Sequence, residues 1–135
     1  MENNPELMAK LGMFEQQIKG IQEQMQAVEQ AILDLTSLTH GLGELEGKKD
    51  QEILAQMGRG IFVKAKLLSE ELIVDVGGKN LVKKDIKSTQ EIINAQLVKL
   101  QEVQADLNKN LETMNEEITK EILESQKKAK SEKKD

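Results

Sequence analysis

Cysteine, tryptophan and tyrosine are absent from this chain of 135 residues, and Phe14 and Phe62 are its only aromatics. Without cysteine there is no disulfide framework and no thiol chemistry, a pattern that fits an intracellular protein. So few aromatics leave little material for a small-molecule pocket or for stacking on nucleobases. The formal net charge is -5, which repels a phosphate backbone, so nucleic acid is not an expected partner. No apolar run approaches the ~20 residues that cross a bilayer, and no membrane partner is expected. The polar, acidic start Met1-Glu2-Asn3-Asn4-Pro5 is unlike a secretory leader. The expectation is a cytoplasmic protein.

Apolar residues instead recur in two long heptad runs. In the first, Leu7, Leu11, Phe14, Ile18, Ile21, Met25, Val28, Ile32 and Leu35 step by four and three. In the second, Ile93, Leu97, Leu100, Leu107, Leu111, Met114 and Ile118 keep the same frame, with Gln90 and Gln104 at seam-type positions. A seven-residue repeat holds one stripe toward a partner helix, where a polar residue costs stability but pins register. The spacing predicts a helix over 5–38, capped by Asn4 with Pro5 in its first turn, and a second over 85–126. Asp85 is the expected cap of the second, with Ser88 and Glu91 as an alternative capping box. Gly41, Gly43 and Gly47 predict a loop over 39–52. The lysine-rich residues 127–135 read as a disordered basic tail.

Between the runs the period changes to two. Ile61, Val63, Ala65 and Leu67 alternate with Phe62, Lys64 and Lys66, and Leu72, Val74 and Val76 alternate with Ile73 and Asp75. Turn residues at Gly58-Arg59-Gly60, Ser69-Glu70-Glu71 and Gly77-Gly78-Lys79-Asn80 divide 53–83 into two successive β-hairpins. The fold class is α+β: one domain, an antiparallel two-helix coiled coil with two β-hairpins inserted between the helices. Four short strands cannot enclose a core, and their edges invite pairing with other chains. Strands from several subunits joining into a shared sheet or an inter-subunit β-barrel remove those edges. The expected oligomer interface is Ile61, Phe62, Val63, Ala65, Leu67, Leu72, Ile73, Val74 and Val76.

Folding the helices back with Leu35 beside the start of the second places Leu7 near Ile118, and leaves Ile122 and Leu123 beyond the first helix. Methionines suit contact with surfaces of undefined shape. Leu7, Met8, Leu11, Met13, Met114, Ile118, Ile122 and Leu123 are therefore a candidate contact surface at the tip of the hairpin.

The order helix, two hairpins, helix resembles the alpha class of prefoldin subunits, of the archaeal type, over residues 5–126. The stretch Gly58-Arg59-Gly60-Ile61-Phe62-Val63-Lys64-Ala65-Lys66-Leu67 is similar to that family's glycine-led second strand. Leu72-Ile73-Val74-Asp75-Val76-Gly77-Gly78 is similar to its third strand and turn. The resemblance implies a hetero-hexamer of two alpha and four beta-class prefoldin subunits joined through a double β-barrel. It also implies an ATP-independent holdase that binds nonnative client proteins at coiled-coil tips and passes them to a cytosolic chaperonin. The other expectation is a coiled-coil scaffold or adaptor docking one folded partner.

No catalytic or metal site is expected, and no cofactor. Gly41 to Lys49 lacks the glycine spacing and the hydroxyl residue of a phosphate loop and follows a helix. His40, the single histidine, reads as a solvated loop residue with no ligand set around it.

Overall fold

The computed structural model describes residues 5–133. Helix α1 (Pro5–Glu44) is followed by β1 (Glu52–Gly58), β2 (Ile61–Lys66), β3 (Leu72–Asp75), β4 (Leu81–Lys84) and helix α2 (Ile86–Lys133). Strands β1 and β2 form one antiparallel hairpin and β3 and β4 another, as two separate two-stranded sheets. Neither sheet closes on itself, so no barrel lies among the described residues.

Both helices outrun their expected ends. α1 continues through Gly41 and Gly43 to Glu44, although each glycine costs roughly 1 kcal/mol against alanine in a helix. Packing outweighs that penalty, because Leu42 extends the half-buried stripe past Leu35 and the Gln90 side-chain amide donates to the Thr39 carbonyl at 3.0 Å. The helix then tightens: Leu45 N–H donates to Leu42 O and Glu46 N–H to Gly43 O. Gly47 ends it at φ +76°, a left-handed conformation that glycine adopts without a Cβ clash. The stretch expected as a loop over 39–52 is thus half helix. At the other end, α2 carries helical backbone through Lys133, so the expected tail is helical from Lys127 as far as the description reaches. The proposed Asn4 cap and the last two residues of that tail lie outside the described residues.

α2 begins as the sequence predicts at Asp85, with the Ser88 backbone N–H donating to the Asp85 carboxylate at 2.7 Å. The Ser88 hydroxyl donates to the same oxygen, and these two bonds hold the carboxyl below its ordinary value of 3.8. The alternative box at Ser88 and Glu91 is not used as the start.

The contacts divide the chain into two units. One contains α1 up to Ala31 and α2 from Leu100. There Leu7, Leu11, Phe14, Ile18, Ile21, Met25 and Val28 are half-buried, as are Leu100, Gln104, Leu111, Met114 and Ile118, while Leu107 is buried. The Lys10 ammonium lies 3.5 Å from the Glu121 carboxylate, giving this unit an antiparallel register. The other unit, Ile32–Lys99, holds both hairpins and the helix ends that flank them. Its core is Ile86 and Ile93, buried with Thr89. Heptad positions thus do bury, but as the narrow stripe of a helix pair rather than a globular core.

Candidate functional site

The first candidate site is the strand block. In a hairpin, residues paired across the strands share a face and successive residues alternate. One face of β1–β2 carries the pairs Ile53–Ala65 and Ala55–Val63; the other carries Glu52–Lys66, Leu54–Lys64 and Gln56–Phe62. In β3–β4, Leu72–Lys84 and Val74–Val82 share one face, and Ile73–Lys83 and Asp75–Leu81 the other. Of the expected interface residues, Ala65, Leu67, Leu72 and Val74 are half-buried within the chain. Ile61, Phe62, Val63, Ile73 and Val76 are exposed. Leu54, Met57, Leu68 and Leu81 are exposed too, at 66%, 68%, 76% and 65%; these four were not singled out in the sequence. The alternation that marked Val63 and Val74 as inward marks Leu54 and Leu81 as outward, and that signal was available. Nine exposed large apolar side chains in one short block mark it as a candidate interaction surface.

Short-range contacts hold the block to its helices. β1–β2 pairing extends past Lys66, with Asp50 N–H donating to Leu67 O at 2.6 Å and Leu67 N–H to Gln51 O at 3.0 Å. The Gly47 backbone N–H donates to the Glu70 carboxylate, tying the link between the hairpins to the exit of α1.

The second candidate site is the tip. Leu7, Leu11, Met114 and Ile118 belong to the half-buried stripe, whereas Met8, Met13, Ile122 and Leu123 are exposed at 68%, 62%, 37% and 53%. The register differs from the expected one. With Lys10 paired to Glu121, Ile122 and Leu123 lie level with Ala9 and Met8 instead of projecting past α1.

His40 sits on α1 with its imidazole 3.2 Å from Glu44, an exposed pair one turn apart. Among the described residues no three His, Cys, Asp or Glu side chains converge as a metal site would require. None of the described helices is long and apolar enough to cross a membrane.

Residues 14–131 match the family model described as Prefoldin, prefoldin subunit. Prefoldin subunit alpha of Methanobrevibacter smithii is 33% identical over 112 residues, covering 82% of this chain and 75% of that protein. Prefoldin subunit alpha of Methanococcus maripaludis is 28% identical over 105 residues, covering 66% and 71%. Among solved structures, the cryo-EM structure of a filamentous PFD from Methanocaldococcus jannaschii superposes with a TM-score of 0.71. It covers 84% of this chain and 96% of that one at 18% identity, a likeness of fold.

Proposed function

This chain belongs to the prefoldin family, and on that premise we propose that it is an ATP-independent holdase subunit. It is a chaperone subunit that assembles with other prefoldin subunits. In the proposed complex two alpha-class chains of this kind combine with four beta-class chains. Their strands complete a barrel between subunits, and nonnative proteins are bound at the helix ends and passed to a cytosolic chaperonin. The work is binding and release in the cytoplasm, without catalysis or a cofactor.

The observation that carries this reading is the distribution of exposed apolar side chains. Those of the strand block face outward on two sheets too small to cover them, as an interface between subunits requires. Those near the ends of the helices are few and are dominated by methionine and leucine. A few flexible apolar contacts bind weakly and without selectivity. Several such tips on one particle add by avidity, holding a client while each contact still releases.

Changing Met8, Met13, Ile122 and Leu123 together to serine tests the client half, since these exposed side chains leave the buried stripe intact. The expected result is loss of protection of two or three unrelated denatured proteins, with helix content and assembly unchanged. Full protection by the quadruple variant refutes the assignment of the tip. Protection of no unrelated protein by the wild type, with capture of a single folded partner, supports a docking scaffold instead.

A further inference from the structure

Six methionines carry all the sulfur of this chain, since it has no cysteine, and tryptophan and tyrosine are missing as well. The side chains that a two-electron oxidant such as a peroxide attacks most readily are the cysteine thiolate and the methionine thioether. A peroxide that meets this protein therefore has methionine as its target. Among the described residues the methionines occupy three settings that differ in access. Met25 and Met114 are half-buried in the stripe between the helices. Met57 is exposed on β1, at the position the ladder skips between Gln56 and Gly58, inside the strand block that other subunits are proposed to cover. Met8 and Met13 are exposed near the start of α1 and lie off the stripe.

The third setting is where oxidation has a consequence. Met8, Met13, Ile122 and Leu123 are the exposed apolar side chains of the tip. Leucine and isoleucine are inert to peroxide, so only the methionine part of that surface can be altered. A lone pair of the thioether sulfur attacks one peroxide oxygen, forming an S–O bond as the O–O bond breaks. The departing hydroxide takes the proton of the transferred hydroxyl and leaves as water; sulfur loses two electrons and the peroxide gains them. The sulfoxide is polar and chiral where the thioether was flexible and apolar. The adaptable contact that methionine offers to surfaces of undefined shape is thereby lost. Because Met8 and Met13 lie outside the stripe, the helix pair keeps its packing.

We propose that Met8 and Met13 form a reversible oxidation site through which a peroxide lowers the affinity of the tips for nonnative clients. This rests on the proposed binding of clients at the tip and adds a regulation of that site. Clients held by several weak contacts at once are released when some of those contacts weaken, because the loss is multiplied through avidity. A methionine sulfoxide reductase returns the thioether; its thiol reductant becomes a disulfide and the oxygen leaves in water, so the site resets. The stripe shields Met25 and Met114, and the partner subunits shield Met57. Mild oxidation is thus directed to the tip and spares both the helix pair and the assembly.

The test treats the complex, assembled with its partner subunits, with hydrogen peroxide. Peptide mass spectrometry maps each gain of one oxygen, and protection of denatured proteins is measured before and after. Met8 and Met13 should oxidise at least about five-fold faster than Met25 and Met114. Client affinity should fall by about five-fold, with helix content and assembly unchanged, and treatment with the reductase and dithiothreitol should restore it. The decisive comparison is with the double variant Met8→Leu, Met13→Leu, which keeps the apolar contact and the helix propensity but has no thioether at these positions. Oxidation of the partner subunits is the same in both complexes and cancels. The double variant should protect clients as the untreated wild type does and lose clearly less on oxidation. Equal loss by the double variant, or sulfoxide forming first at Met25 or Met114, overturns the inference while leaving client binding at the tip intact. Absence of protection by the untreated wild type overturns the proposed client binding and this inference with it.

Discussion

Ile92 and Ile93 are neighbours of one residue type on α2, yet Ile93 is 5% exposed and Ile92 is 42% exposed. Replacing either by alanine removes the same atoms and changes helix propensity equally, by a few tenths of a kcal/mol in favour of alanine. The difference between the two variants therefore isolates the packing of the stripe. Fully burying an isoleucine side chain is worth roughly 1.5–3 kcal/mol, and truncation of a buried one costs about 2–5 kcal/mol once the residual cavity is included. Ile93 has nearly all of that to lose. Ile92, little more than half covered and with no cavity to leave, should lose under about 1 kcal/mol after the propensity gain. Urea unfolding followed by helix signal should then show Ile93→Ala destabilised by at least ~1 kcal/mol relative to Ile92→Ala. The comparison is made at one fixed protomer concentration, because association adds to apparent stability. Equal midpoints for the two variants refute the heptad account of the helix pair in the unit that holds the hairpins.

At acid pH the Asp85 cap should matter in a signed way. Its carboxyl is held below 3.8 by the Ser88 hydroxyl and backbone N–H, so its contribution is complete above that value and disappears as pH falls through the lowered one; Asp85→Asn should flatten the acid limb of a plot of stability against pH. Gly41→Ala should stabilise by about 1 kcal/mol, since the helix gains propensity and no neighbouring atom lies within 4 Å of the added Cβ. Gly43→Ala should gain clearly less in the same thermal melt, because its Cβ comes within 3.3 Å of the Gln90 amide that bonds Thr39.

The helices and hairpins were legible because each is written in short-range terms. A step of four and three from Leu7 to Leu35 needs only local chemistry to mean an amphipathic helix. Glycine at 58, 60, 77 and 78 permits tight turns wherever the chain goes. Asp85 as a cap is the same kind of signal. The C-terminal end of α1 was not legible, because local propensity at Gly41 and Gly43 opposes the helix while the contact that rescues it comes from Gln90, far along the chain. The pairing across the helices was not legible either: Lys10 meets Glu121 where Leu7 was expected beside Ile118, because register is set by contacts between residues distant in sequence.

The sequence by itself therefore determined the identity of the elements, the stripe each helix buries and the open edges that call for other subunits, since all follow from periodicity and turn chemistry. Tertiary structure alone decided where α1 stops, which residues lie level across the helices, and which face of each hairpin stays uncovered. Those depend on contacts between residues distant in sequence, where one side chain's hydrogen bond outweighs the preferences of the segment it touches.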